Sequence, residues 1–347
     1  MTAAGVTVIA MGTRAASGHG VWSLAARRLR HDRIGMAALV VVGVFLVMIV
    51  LVSLHLLAGD WAEERGVHYA NPTFLGPGPD ELAMIEPPPG HMLDLTAVDP
   101  LAPHYAEIER RTRELQTTVR ARVRTLPFGG DRYGRDVLKK AIKGAQVSII
   151  VGLASALVAT FIGSVLGAFA GFFGGRIGDG LEWLYNVFTS VPYILLVFAF
   201  AAVSGRGIGS VIVILGLTGW TGVYRLLRAE YIKHSNREYV RAAQAIGAAP
   251  LSRMFVHILP NVSHVILVQL SLNVVSFIKA EVILSFLGLG VSVDSVSWGT
   301  MLNEAQSELI LGKWWQLAAA TLFMAVFVTA FSVFTDSLRD ALDPKLR

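Results

Sequence analysis

Six long apolar runs dominate this sequence, and each can cross a lipid bilayer as a helix. The first, residues 34–57, would be about 36 Å long as a helix, against a hydrocarbon core of about 30 Å. The other five runs are residues 147–173, 181–203, 208–227, 262–287 and 314–334. Because backbone polar groups in lipid must be satisfied internally, the pattern predicts an all-α integral membrane protein with six transmembrane helices.

The composition agrees with a membrane location and narrows the possible chemistry. The 347 residues are 54% hydrophobic and 16% charged, whereas a soluble domain carries about a quarter charged residues. Cysteine is absent, which excludes disulfides, thiolate metal sites and cysteine nucleophiles. The net charge of +5 does not indicate a nucleic-acid partner, because the basic residues cluster near the ends of the spans.

Basic residues set the predicted orientation. Arg27, Arg28, Arg30 and Arg33 precede the first run and place the N-terminal tail, residues 1–33, in the cytoplasm. The run is too long for a secretory signal peptide and no small-x-small cleavage site follows, so we interpret it as an uncleaved span. Six crossings then put the C-terminal tail, residues 338–347, in the cytoplasm as well. Residues 1–20 have no periodicity and are predicted to be disordered, with Met11 as an alternative start.

A long insertion, residues 58–143, separates the first two spans and falls on the extracytoplasmic side. Its first part is rich in proline and glycine, and residues 106–125 are charged and favour a helix. Its arginines and lysines are acceptable because only short outside loops avoid basic residues. We therefore predict a small exported subdomain, followed by a five-helix core over residues 144–337.

A polar segment, residues 229–260, lies between the fourth and fifth runs. Residues 237–246 are good helix formers, Gly247 interrupts them, and Pro250 suits the first turn of a second helix. In that helix one face is apolar, Pro260 is predicted to end the element, and the apolar residues are Leu251, Met254, Phe255, Ile258 and Leu259. Such a helix–glycine–helix can lie on the bilayer or enter a groove of a soluble partner, and the pattern leaves both open.

The polar segment resembles the EAA loop of ABC importer permeases. In that family the loop supplies the coupling helix that docks on a cytosolic ATPase. The resemblance therefore implies a docking role for residues at matching or adjacent positions: Glu238, Tyr239, Arg241, Ala242, Ala243, Gly247, Arg253, His257, Leu259 and Pro260. One departure is that the usual acidic residue directly before Ala-Ala is Arg241 here, with Glu238 one helical turn earlier as a substitute.

A second stretch, residues 128–138 with Gly144 and Ser148, resembles the G-T-D-x-x-G-R-D-V signature of dipeptide and oligopeptide-type permeases, with Gly130 in place of the threonine. A phosphate-binding loop is excluded because G-x-x-x-x-G-K-[ST] does not occur. Residues 284–290, 297–302 and 338–344 also resemble this subfamily, so the resemblance covers about residues 128–347.

The resemblance implies the type I permease fold in a bacterial inner membrane. It also implies three kinds of protein partner: a second homologous permease, cytosolic ABC ATPase subunits and an extracytoplasmic solute-binding protein. The cargo stays open among dipeptides, oligopeptides, nickel chelates, opines and peptide antibiotics.

Two features inside the predicted spans concern helix packing. Gly163, Gly167 and Gly171 form a small-xxx-small row, which favours close approach of a neighbouring helix. Pro192 follows Thr189 and Ser190 and predicts a kink whose freed carbonyls those hydroxyls can occupy. The kink either shapes a pathway or only fits packing.

The sequence contains no HExxH, CxxC, G-x-S-x-G or Walker motif, which indicates a non-catalytic chain without a cofactor. Lys279 and Glu281 are the main ionisable residues within the spans, and we interpret both as snorkelling or packing against a partner subunit. Candidates for the pathway or for packing are Pro192, Asn273, Ser276 and Glu281.

The alternative function is a self-sufficient secondary transporter or channel, or a membrane scaffold whose amphipathic loop lies on lipid. Ion-coupled carriers need buried carboxylates or unwound helices near the midplane, and this chain has no convincing set of them. The scarcity favours a permease that is driven by a separate ATPase.

Overall fold

The computed structural model describes residues 27–78, 101, 104–115, 122–292 and 294–342. Residues 1–20, the proline cluster at residues 87–89 and the end of the C-terminal tail, residues 343–347, lie outside this range. Within it, five helices are long and apolar enough to cross a membrane, and a bent pair can add a sixth. The predicted all-α membrane fold is confirmed, whereas the domain boundaries stay a prediction.

The helices cover most of the described chain. Numbered in chain order, they are α1 (Arg33–Ser53), α2 (Tyr105–Leu115), α3 (Val137–Phe173), α4 (Gly175–Thr189), α5 (Tyr193–Ser204), α6 (Ile208–Thr218), α7 (Thr221–Ser235), α8 (Glu238–Ala245), α9 (Pro250–Ser252), α10 (Leu259–Phe286), α11 (Trp298–Ile310) and α12 (Trp315–Leu342). A π-helical turn, Arg253–Ile258, joins α9 to α10, and a 3₁₀ turn, Thr73–Leu75, follows the first strand.

The insertion contains a small parallel sheet as well as a helix. Strand β1 (Gly66–Pro72) pairs with β2 (Val123–Leu126), with Asn71 opposite Thr125. The helix predicted over residues 106–125 is therefore correct for α2 and wrong for its last residues. Pairing with β1, a contact distant in sequence, overrides the local preference there.

The second span begins earlier than its apolar run. Helix α3 starts at Val137, because the Asp136 side chain accepts hydrogen bonds from the N–H groups of Leu138 and Lys139 and caps the first turn. The polar first turns of α3 thus belong to the same helix as the apolar span. As a result α3 extends from the insertion through the centre of the core.

The glycine row of α3 packs directly against α7. A Cβ atom at Gly163 would lie 2.6 Å from the Trp220 carbonyl oxygen, one at Gly167 would lie 2.7 Å from that of Tyr224, and one at Gly171 would lie 2.5 Å from the Arg228 oxygen. Every row position therefore needs the absence of a side chain. The predicted close approach of a neighbouring helix is confirmed.

The third span is broken and not merely kinked. Helices α4 and α5 meet at 82° across Ser190 to Pro192. The Thr189 hydroxyl donates to the Tyr185 carbonyl at 3.0 Å and the Ser190 hydroxyl donates to the Val187 carbonyl at 2.8 Å, both at the end of α4. Use of these hydroxyls to satisfy the carbonyl that Pro192 frees stays a prediction. Because Pro192 cannot donate its own N–H, the helix restarts there in a new direction.

Candidate functional site

Helix α8 is the first helix that lies wholly within the polar segment, and it has one face against the protein and one face exposed. Val240 and Ala243 are 2% and 5% exposed, and Val240 packs in a cluster with Ala168 of α3 and Tyr231 of α7. Glu238, Arg241 and Ala242 point outward. The predicted substitute carboxylate and the arginine therefore share the exposed face of α8, one turn apart.

Gly247 closes α8 through a Schellman motif. Its φ of +89° lies in the left-handed region, which favours glycine. The Gly247 N–H donates to the Gln244 carbonyl and the Ala248 N–H donates to the Ala243 carbonyl, both at 3.0 Å. These two bonds reverse the chain, so that the second helix starts at Pro250 as the sequence predicts.

The second helix does not end at Pro260, and this prediction is wrong. It continues without interruption through the π-helical turn into α10, so residues 250–286 form one rod. In the π turn the Leu259 N–H reaches back to the Met254 carbonyl, five residues earlier. The wider turn gives room to the Pro260 ring, which otherwise clashes with a carbonyl in an α-helix interior.

The inner face of this rod is fixed to the rest of the chain. Met254 and Ile258 are fully buried in a cluster with Val223 and Leu227 of α7. The Tyr231 hydroxyl also donates to the Met254 carbonyl at 3.3 Å. Movement of the rod must therefore be accompanied by movement of α7.

The predicted apolar face is divided between two environments. Met254 and Ile258 are buried, Leu259 is half-buried, and Leu251 and Phe255 are 54% and 40% exposed. The packing of the rod on α7 uses only one side of the apolar stripe. Exposed apolar area thus remains beside the exposed face of α8.

Polar contacts hold the two helices of the polar segment together. An Arg253 guanidinium N–H donates to the Gln244 side-chain oxygen at 2.7 Å, and the guanidinium carbon lies 5.5 Å from the Phe172 ring centroid. The Tyr239 hydroxyl lies 2.8 Å from Nδ1 of His234, and partial burial raises the pKa of Tyr239. His257 contributes its carbonyl, which accepts from the Asn261 amide at 2.7 Å.

Sequence comparisons identify the family of this chain. Residues 163–347 match the family model described as the binding-protein-dependent transport system inner membrane component. The Bacillus subtilis oligopeptide transport system permease protein OppC is 35% identical over 71% of this chain and 80% of that protein. The chain belongs to this family.

Further relatives have the same kind of name. The dipeptide transport system permease protein DppC of Bacillus subtilis is 40% identical over 63% of this chain and 69% of that protein. The di/tripeptide permease protein DppC of Pseudomonas aeruginosa is 37% identical over 63% of this chain and 72% of that protein. The predicted resemblance to dipeptide and oligopeptide-type permeases is confirmed.

Two of the predicted pathway residues of this permease have structural partners in the chain. The Asn273 amide donates to the Thr160 hydroxyl at 3.2 Å between α10 and α3. Glu281 is fully buried and accepts from the Ser285 hydroxyl at 2.6 Å. The prediction that Glu281 snorkels or packs against a partner subunit is wrong, because its own subunit encloses it.

Two others lie on the surface of the described chain. Pro192 is exposed at the break between α4 and α5. Ser276 is exposed on α10, with its hydroxyl bonded back to the Leu272 carbonyl at 3.1 Å. Lys279 is exposed as well, one helical turn after Ser276. A role of Pro192 and Ser276 in the pathway stays a prediction.

A buried ionic network at the start of α3 escaped the sequence analysis. Lys140 is 1% exposed and forms ion pairs with Asp131, at 2.8 Å, and with Glu304 of α11. Asp131 is also fully buried and pairs with Arg135 at 2.6 Å. The sequence signal was the permease signature, whose first aspartate is Asp131, but the partner Glu304 on α11 is far away in sequence.

Burial and nearby charges have opposing effects on the pKa of Asp131 and on that of the neighbouring Glu308. Burial alone raises the pKa of Asp131, but Lys140 and Arg135 outweigh it and hold that pKa below the ordinary value. Glu308 of α11 is 1% exposed, and burial raises its pKa to about 7. Lys140 acts against that rise, whereas the charges of Asp131 and Glu304 add to it.

Proposed function

We propose that this chain is the permease subunit of an ATP-driven, binding-protein-dependent importer of peptides or similar small solutes. The names of the relatives, which are permeases of dipeptide and oligopeptide transport systems, support the cargo class. The chain itself carries out no hydrolysis. A separate cytosolic ATPase docks on the polar segment and moves it.

The continuity of residues 250–286 carries this proposal. Leu251 and Phe255, the exposed apolar residues of the polar segment, belong to the same rod as the fifth span, and the Schellman turn at Gly247 joins this rod to α8. A force applied to Leu251 therefore acts directly on the rod, and a force applied to α8 reaches the rod through the Gly247 turn and the hydrogen bond from Arg253 to Gln244. Burial of Met254 and Ile258 against α7 transmits it to the fourth span as well.

The burial of Met254 and Ile258 disfavours the alternative in which the polar segment merely lies on lipid. A surface-bound amphipathic helix presents its whole apolar face to the bilayer. Here Met254 and Ile258 of that face are fully buried in protein, so only part of the stripe is free. The exposed polar residues next to it, among them Glu238 and Arg241, suit a protein surface.

The proposed assembly contains this permease, a second homologous permease, cytosolic ATPase subunits and an extracytoplasmic binding protein. The inner membrane is the proposed location, with both termini and the polar segment in the cytoplasm. Closure of the ATPases around ATP would rotate the rod and α7 and so switch the spans between inward-facing and outward-facing states. This is a hinge-type coupling of the kind seen in alternating-access transporters.

The test replaces Gly247 by valine in the reconstituted complex. A β-branched residue at a φ of +89° is strained and disrupts the Schellman turn, although no atom lies within 4 Å of the new Cβ. Uptake should fall at least about tenfold while membrane insertion is retained, which corresponds to about 1.4 kcal/mol of lost coupling. Uptake, ATP hydrolysis and co-purification of the ATPase are measured together.

The matched control is Gly174→Val. Gly174 also has a positive φ, of +58°, and no atom lies within 4 Å of its Cβ position, but it lies outside the polar segment. Its substitution should leave coupling unchanged. Equal effects of both variants, or uptake driven by an ion gradient without any ATPase, would contradict the proposal.

A further inference from the structure

One face of α10 is left uncovered along the fifth span. Its exposed residues recur at intervals of three or four and therefore fall on a single stripe of the helix: Leu272, Ser276, Lys279, Ile283 and Leu287. The opposite side is buried against the rest of the chain, through Phe277, Ile278 and Leu284 among others. We call these five exposed residues the α10 stripe.

The α10 stripe leads into a cavity at the other end of the helix. The cavity has a volume of about 390 Å³ and is lined by α7, α10 and α12, including Glu230, Gln269, Leu272 and Arg339. Leu272 belongs both to the cavity wall and to the stripe. The uncovered face is thus one surface that extends from a cavity of mixed polar and apolar lining to the far end of the span, with Gln269, Ser276 and Lys279 along it.

Lys279 is the charged member of this surface. It forms no ion pair or hydrogen bond with any residue in the described part of the chain, and Glu281, two positions later, is turned away into the core. A cation inside a membrane span is costly in lipid, and such residues generally face a water-filled cavity or the interior of a helix bundle. Contact of the α10 stripe with lipid tails is therefore disfavoured.

Snorkelling does not relieve Lys279 in the proposed orientation. It lies seven residues before Phe286, about 10 Å from the extracytoplasmic end of α10 at a rise of about 1.5 Å per residue. Side chains on a helix lean toward its N-terminus, which for α10 is the cytoplasmic end. The lysine stem consequently leads away from the nearer membrane surface and toward the middle of the span.

We propose that the α10 stripe lines the translocation pathway and that Lys279 contacts a carboxylate of the passing cargo, such as the C-terminal carboxylate of a peptide. The inference rests on the proposed peptide import. Charge complementarity and continuity with the cavity select the cargo over a fixed partner. A single ammonium on a flexible stem suits a transient contact, since cargo in a pathway must be released as well as bound.

The experiment uses the whole complex, with the partner permease, ATPases and binding protein, in liposomes. The probe is an equimolar mixture of di- to pentapeptides with free C-termini, compared with the same mixture as C-terminal amides, read by mass spectrometry. Lys279→Met should lower uptake of the free peptides about tenfold. Uptake of the amides should not differ between the wild type and Lys279→Met.

Two further variants test whether the charge itself matters. Lys279→Arg keeps the cation and should retain most of the uptake. Lys279→Cys should behave like Lys279→Met until it is treated with aminoethyl methanethiosulfonate, which attaches an ammonium group and should restore uptake. The wild-type complex treated with the same reagent controls for modification of other subunits. Leu322→Met, at an exposed position of α12 outside the α10 stripe, controls for a methionine on another span and should leave uptake unchanged.

Each other outcome overturns the inference in a recognisable way. Loss of the second permease from the purified Lys279→Met complex would identify an ion pair between subunits. Unchanged peptide uptake, with normal coupling to ATP, would assign Lys279 to the lipid boundary and leave the proposed function intact. Failure of the wild-type complex to take up any peptide of the mixture would reject the peptide cargo, and this inference with it.

Discussion

At the scale of single residues, Glu308 of α11 stands out because its carboxylate is buried and neither oxygen has a hydrogen bond of normal geometry within the described chain. Lys140 is already paired with Asp131 and Glu304, so it compensates Glu308 only in part. The ionised form of Glu308 is therefore disfavoured in the folded protein.

The raised pKa of Glu308 predicts a stability that falls as pH rises. Between the ordinary value of 4.5 and about 7, the folded state binds the proton more strongly than the unfolded state does. The resulting loss is fully present above about pH 7 and amounts to at most about 3 kcal/mol. Glu308→Gln should accordingly have a higher thermal midpoint than the wild type at pH 8 and the same midpoint at pH 4.5.

The midpoints can be measured in detergent by intrinsic fluorescence across this pH range. Asp179→Asn is a suitable control because Asp179 is exposed, so the change should leave the pH profile of the wild type intact. A Glu308→Gln profile that is parallel to the wild-type profile would show that Glu308 is not the responsible group.

At the scale of helices, close contact between α3 and α7 depends on three glycines that share one face. Carbonyl oxygens of α7 occupy the space that a side chain on that face would need. Within lipid the hydrophobic effect does not draw helices together, so close packing of this kind is a main source of helix association. Met254 and Ile258 of the polar segment pack against the α3–α7 pair, so this pair also supports the polar segment.

This contact predicts opposite effects for two substitutions of the same type. Gly167→Ala places a Cβ atom 2.7 Å from the Tyr224 carbonyl oxygen and should lower the free energy of unfolding by about 1–3 kcal/mol. Gly43→Ala in α1 meets no atom within 4 Å and should be neutral or stabilise by up to about 1 kcal/mol. The measurement is the thermal midpoint of each variant, which should be lower for Gly167→Ala than for Gly43→Ala. Equal midpoints would argue against the contact.

At the scale of the whole molecule, the permease combines one continuous helix, the rod of residues 250–286, with a third span that is broken between α4 and α5. The rod connects the proposed docking surface to the α10 stripe. The break at Pro192 leaves α5 at 82° to α4, while Glu182 of α4 remains tied to Arg228 of α7 at 3.2 Å. Motion of α7 is thereby shared with α4 as well as with the rod.

The proposed orientation can be tested with single cysteines, because the chain has none of its own. Leu311, after α11, and Ala245, in α8, are both exposed. In intact cells a membrane-impermeant maleimide should label Leu311→Cys and should leave Ala245→Cys unlabelled until the inner membrane is disrupted. Labelling of Ala245→Cys from outside would reverse the topology and remove the basis for ATPase docking.

The sequence predicted much of the candidate site because local rules apply there. Gly247 requires a left-handed turn, and Pro250 favours the first turn of a helix whatever surrounds it. It failed at Pro260, where the usual rule that proline ends a helix was offset by a π turn. The burial of Glu281 and Trp298 could not be predicted either, because their surroundings come from helices distant in the chain.

The sequence by itself determined the membrane class, the apolar spans, the close-packing glycines and the family, since each follows from local composition, periodicity or residue offsets. Only the tertiary structure decided which side chains share a core and which remain uncovered. Lys140 meets Glu304 across 164 positions, and Lys279 stays without a partner in the described chain. Contacts between distant segments depend on how the helices cross, and no local pattern encodes that geometry.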